Sequence, residues 1–98
     1  MADANNYEVL YVIDANLGEE GIAAMVEKFK TLVEENGTLN SIDEWGKRRL
    51  AYEINHISEG YYVLMTFTAN VDFPAELERI FGITEGILRS LVILKEQE

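Results

Sequence analysis

The chain has no cysteine, one proline and one histidine among its 98 residues. Without cysteine there is no disulfide frame, no thiolate metal site and no cysteine nucleophile, and a reducing compartment suits such a chain. A single histidine, His56 in Asn55-His-Ile-Ser-Glu-Gly60, sits where a turn is expected and reads as a solvated turn residue, not as a catalytic base. No run approaches the roughly 20 apolar residues a membrane-spanning helix needs. The opening Met1-Ala-Asp-Ala-Asn-Asn lacks the basic and apolar regions of a signal peptide, so the protein is expected to stay where it is made. Basic side chains are also scarce: 8 against 18 acidic ones leave a formal charge of −10. Long-range attraction to a polyanion is excluded over most of such a surface. Any nucleic-acid contact has to be local, or shared with a basic partner. Before any motif is considered, the acid excess reads as solubility.

What is present is foldable. Apolar residues make up 48% of the chain, enough for one domain with one core. Tyr7 to Ile13 is β-branched and aromatic and reads as a central strand. Ile22, Met25, Val26, Phe29, Leu32 and Val33 recur at helical spacing between Gly18 and Asn36, with Glu19 and Glu20 at the positive end of the helix dipole. Asn36-Gly37 is expected to supply a left-handed stop. Thr38 to Ile54 reads as a long, charged edge strand interrupted at Gly46, where a bulge or a close backbone approach is expected. It is expected to pair as a hairpin with Tyr61 to Ala69. Asp72 is expected to cap a second helix, with Pro74 in its first turn, Leu77, Ile80 and Phe81 as the buried stripe, and Gly82 as the stop. Ile87 to Leu94 is the last strand. Residues 1–6 are expected to be a flexible start, 7–95 one domain and 96–98 a short acidic tail.

The order β-α-β-β-α-β with right-handed crossovers predicts an α+β ferredoxin-like fold. Its four-stranded antiparallel sheet has the order 4-1-3-2 with two helices on one face. The other face then lacks a helix, although its strands carry apolar residues on both sides. It is either a partner contact or a moderately apolar open surface.

Chemistry is hard to find. There is no zinc or calcium ligand pattern, so no metal and no cofactor is expected. Gly18-Glu-Glu-Gly21 is not a phosphate loop, and the acid pairs Glu19-Glu20, Glu34-Glu35 and Asp43-Glu44 read as solvated surface. Glu59 to Phe67 resembles the third-strand motif of RNA-recognition modules only loosely, and its alternating Tyr61, Val63, Met65 and Phe67 read as core. The segment that stands out is Trp45-Gly-Lys-Arg-Arg-Leu-Ala-Tyr52. It places Lys47, Arg48 and Arg49 between two aromatics, beside a glycine. Arginine forks on phosphate and stacks on unpaired bases, which makes this an RNA contact. Alternatively the three are ordinary strand charges facing opposite sides and paired to Glu44 or Glu53. On the residues alone the two readings stand level.

Tyr7-Glu-Val, Trp45 to Ile54, Gly60-Tyr-Tyr and Ile87-Leu-Arg-Ser-Leu-Val-Ile93 resemble the bacterial small-subunit ribosomal protein six family, over residues 6 to 95 and in the family's order. Glu53, where many members have proline, and the short tail depart from it. The resemblance implies a non-catalytic protein of the small-subunit platform, cytoplasmic, that binds small-subunit (16S) rRNA together with the basic small-subunit protein eighteen. It implies RNA contacts at Lys47, Arg48, Arg49 and Arg89, while Trp45 and Tyr52 belong to the RNA or partner contact or to packing. Two other readings are an acidic ferredoxin-like regulatory or protein-protein interaction domain, and an acid-base enzyme built on the same scaffold.

Overall fold

The computed structural model describes residues 4–54 and 56–95. Strand β1 (Ala4–Asp14) leads through a short turn of 3-10 helix at Ala15–Leu17 into α1 (Gly18–Asn36). The long β2 (Gly37–Ile54), β3 (Ile57–Asn70), α2 (Phe73–Ile83) and β4 (Ile87–Leu94) follow. The sheet order is β2-β3-β1-β4 and every pairing is antiparallel, as the element order predicts. Strand β1 begins at Ala4, earlier than Tyr7, because Ala4, Asn5 and Asn6 continue the ladder opposite Asn70, Ala69 and Thr68. What was expected of residues 1–3 and 96–98, and of Asn55 in the turn, lies outside the described residues.

Strand alternation decides which face each residue serves. Tyr7, Val9, Tyr11 and Ile13 of β1 and Val63, Met65, Phe67 and Ala69 of β3 point to one face, where Ile22, Val26, Phe29 and Val33 of α1 and Phe73, Leu77 and Phe81 of α2 cover them. All are buried. An aromatic cluster forms the centre: Phe29 and Phe81 stack with centroids 4.2 Å apart, and Tyr11 tilts against both at 5.5 and 4.9 Å. Ring pairs at these separations add about 0.5–1.5 kcal/mol each beyond the area they bury. The Tyr11 hydroxyl is buried and has no hydrogen-bond partner among the described residues. Burial pushes its phenol well above the ordinary value, with the nearby Glu44 charge adding to the effect.

Three glycine and cap expectations are corrected. Gly37 is extended, with φ 179°, and stops no helix by a left-handed turn. Its role is close approach, since a Cβ there would lie 2.2 Å from the Thr68 carbonyl oxygen and 2.9 Å from Ala69 Cβ. Gly82 lies inside α2, which runs on to Ile83. The helix ends at Thr84, whose N–H donates to the Phe81 carbonyl and whose hydroxyl donates to the Ile80 carbonyl. Asp72 occupies the cap position of α2 but makes no side-chain cap hydrogen bond. The hairpin turn is also tighter than expected: Ile54 pairs with Ile57, and His56 is left-handed at φ 67°.

Candidate nucleic-acid interface

The face of the sheet opposite the helices is graded from end to end. At one end lies a polar ladder: Asn40 Nδ2 donates to Thr68 Oγ1 (2.9 Å), which donates to Asn6 Oδ1 (2.7 Å). Ser41 and Thr66 hydroxyls bond beside it. Leu10 opposite Leu64 and Leu91 makes the apolar middle. The far end, around Val12, Tyr62 and Arg89 in one cross-strand row, carries the aromatic and cationic groups.

Two irregularities in β2 build that end. The first is at Gly46, whose φ of 88° only glycine adopts without strain. Glu44 pairs with Val63 and Gly46 with Tyr62, so Trp45 is the extra, bulged residue. Its indole, 40% exposed, lies nearly parallel to the Tyr62 ring (6.3 Å between centroids, 9° between planes) and donates to Asp43 Oδ2 at 3.2 Å. The Arg48 guanidinium stands 5.9 Å over the indole. Lys47 pairs with Tyr61, Arg48 with Gly60 and Arg49 with Glu59, so successive cations alternate between the two sides of an exposed edge strand. The pairing of these arginines with Glu44 or Glu53 does not occur. Among the described residues the ion pair is Arg79–Glu76 at 2.6 Å, far along the chain. Glu44 instead accepts from the Tyr61 hydroxyl at 2.7 Å, which raises the Tyr61 pKa.

The second irregularity lies between Arg49, paired with Glu59, and Ile54, paired with Ile57: Leu50–Glu53 stand against Ser58 alone. The surplus residues swing across the open face. Leu50 and Ile54 line a cavity of about 80 Å³ together with Val12 and Tyr62, and Tyr52 reaches Arg89 of β4 at its rim. Arg89 Nη2 donates to the Tyr52 hydroxyl and its guanidinium lies 5.2 Å from the Tyr52 ring centroid. That hydrogen bond is the main reason the Arg89 pKa is raised. The face without helices is therefore partly roofed by its own edge strand.

The predicted site residues divide between the faces: Trp45 and Arg48 at the bulge and Tyr52 with Arg89 at the roof share the open face, whereas Lys47 and Arg49, paired with Tyr61 and Glu59, point to the helix side of the same edge. Sequence reasoning missed Tyr62, which stacks on Trp45 and lines the cavity with Tyr52 and Arg89. Its signal was the alternation itself, since Tyr61, Val63, Met65 and Phe67 face the helices and leave Tyr62 on the other side. The same parity removes the likeness to RNA-recognition modules, for Val63, Met65 and Phe67 are fully buried. Acids concentrate elsewhere. Helix α1 exposes Glu19, Glu20, Glu27, Glu34 and Glu35, and α2 with its flanks exposes Asp72, Glu76, Glu78 and Glu85. A polyanion is repelled from the helix layer, where acids outnumber Lys28 and Lys30, and meets adjacent exposed cations along β2, interspersed with Asp43, Glu44, Glu53 and Glu59, and at Arg89.

The family model described as ribosomal protein S6 matches residues 6–94. Small ribosomal subunit protein bS6 of Clostridium perfringens (strain SM101 / Type A) is 51% identical over 92 residues, covering 93% of this chain and 97% of the relative. That of Clostridium novyi (strain NT) is 48% identical over 93 residues, covering 94% and 98%. The crystal structure of 30S ribosomal protein S6 from Thermotoga maritima superposes with a TM-score of 0.88 at 29% identity, covering 95% of this chain and 89% of that one.

Proposed function

The chain belongs to the ribosomal protein S6 family, and on that premise we propose that it is a structural, non-catalytic protein of the cytoplasmic small ribosomal subunit. It binds 16S rRNA in the platform region together with small-subunit protein eighteen. The observation that carries the RNA part is the set of Lys47, Arg48 and Arg49, exposed and without an ion-pair partner among the described residues, along the strand that carries the Trp45–Tyr62 pair, in a chain of net charge −10. Unpaired cations at a sheet edge can release counterions from phosphates, and the neighbouring rings supply flat surfaces for unstacked bases. Arg89 extends the same cationic surface. The acid on the helix layer gives the partner its part: a basic protein seated beside the site offsets the repulsion and enlarges the cationic field.

The test is binding of purified protein to 16S rRNA with and without protein eighteen. Binding that is weak alone and strong with the partner is expected, and negligible binding in both cases refutes the reading. Arg48→Ala and Arg49→Ala are each expected to lower the salt slope of binding by about one counterion per lost contact. An unchanged slope removes that residue from the site.

A further inference from the structure

Strands β2 and β4 are the two edges of the sheet, with β3 and β1 between them. At about 4.8 Å per strand their backbones lie roughly 14 Å apart. Edges so far apart do not normally touch. They do here because β2 carries surplus residues after Arg49, and because Tyr52 and Arg89 are long enough to meet above Val12.

A second feature lies under this contact. Gly60 lies beneath the roof, where a Cβ would sit 2.3 Å from Val12 Cγ1 and 3.4 Å from Leu50 Cδ2. Its φ is not in the left-handed region. The glycine is therefore required for space against Val12 of the neighbouring strand, with Leu50 in ordinary contact above it. The contact is local in chemistry as well: Tyr52 remains 61% exposed, so its apolar burial is small and the Arg89 contact is its main attachment.

We propose that Tyr52 is a positioning residue of the RNA site. Through its contact with Arg89 it clasps residues 50–54 onto the sheet and aims the guanidinium outward. The Tyr52 hydroxyl accepts from one N–H of the fork and its ring covers one flat side of it. The remaining N–H groups face solvent, on the side shared with Arg48 and Trp45. A guanidinium held this way loses less side-chain freedom on meeting a phosphate or a base. The roof also joins the basic bulge to β4, so the two groups of site residues are presented as one surface. This inference rests on the reading of Arg89 as an RNA contact and adds the device that orients it.

The experiment compares Tyr52→Phe, Arg89→Ala and the double variant, in the full chain. Amide hydrogen exchange of the free protein is followed over residues 51–54, and 16S rRNA affinity is measured with protein eighteen present. Tyr52→Phe keeps the ring and removes the acceptor. It is expected to speed exchange in that segment about tenfold and to weaken rRNA binding about fivefold. In the Arg89→Ala background it is expected to change neither further, which is the non-additivity a shared contact requires. Additive losses of affinity, or exchange that Tyr52→Phe leaves unchanged, overturn the positioning role alone. Affinity that does not respond to Arg89→Ala overturns that role and the reading of Arg89 together.

Discussion

Strands β1 and β3 serve two faces with alternate residues, and the faces follow different physical rules. Toward the helices, Val9, Tyr11, Ile13, Val63, Met65 and Phe67 are wholly buried and touch only apolar neighbours, apart from one hydroxyl. Toward the other side, Asn6, Glu8 and Leu10 alternate with them and stay partly accessible, while Val12 is buried where the edge strand crosses the sheet. The covered face is held by area and close packing, whose worth depends on shape. The uncovered face is held by single directed contacts: a hydroxyl ladder, a stacked indole, a guanidinium on a phenol. The first makes the domain stable and the second leaves it something to bind with.

The comparison breaks if stability and binding do not separate between the faces. Phe81→Ala is expected to have the largest effect, a loss of about 3–5 kcal/mol in urea unfolding, because it removes a ring stacked on Phe29 and touching Tyr11. Protein that remains folded should keep its rRNA affinity; a matching loss of affinity in folded protein would join the two faces. Gly37→Ala tests whether a backbone approach matters as much as a side chain. With Thr68 O at 2.2 Å from the new Cβ, a loss of about 1–3 kcal/mol is expected, whereas a glycine needed only for chain reversal would give less.

Tyr11 sharpens the comparison through pH. Its native pKa is raised above the unfolded value, so its contribution is full below about pH 10 and falls as pH rises from there toward the native value, by about 1.4 kcal/mol per pH unit. Tyr11→Phe should remove that part of the alkaline loss. At neutral pH it should match or exceed the parent by up to about 1 kcal/mol, since no hydrogen bond is given up. Parallel alkaline curves for parent and variant would show the hydroxyl to be solvated. The smallest effect on stability is expected from Trp45→Ala, within about 1 kcal/mol because the indole is half exposed. The same change should weaken rRNA binding in the presence of protein eighteen severalfold. A large stability loss with intact binding would place Trp45 among the packing residues of the fold.

How much of this was legible from the residues depends on the range of the interaction concerned. The stripe Ile22, Val26, Phe29 and Val33 follows from helical periodicity, and the strand composition of β1 and β3 from alternation, because each burial pattern is written within one segment. Gly46 was legible as a bulge for the same reason. Gly37 and Gly82 misled, since a glycine near a helix end signals conformational freedom, while these two serve close packing and an ordinary last turn. Asp72 looked like a cap because of its position, but whether a carboxylate reaches the first N–H groups depends on the backbone before it.

The sequence by itself thus determined the element order, the core stripes, the excess of acid and the one cluster of cations, all of them properties of neighbours along the chain. Only the tertiary structure decided that Tyr62 lies under Trp45, that Arg48 and Arg49 go unpaired, and that Tyr52 closes on Arg89 from the opposite edge. Those outcomes hang on register, and each surplus residue in β2 shifts every later side chain relative to strands distant in sequence. No local pattern records that shift; it is set when the sheet closes and the packing of both faces is satisfied at once.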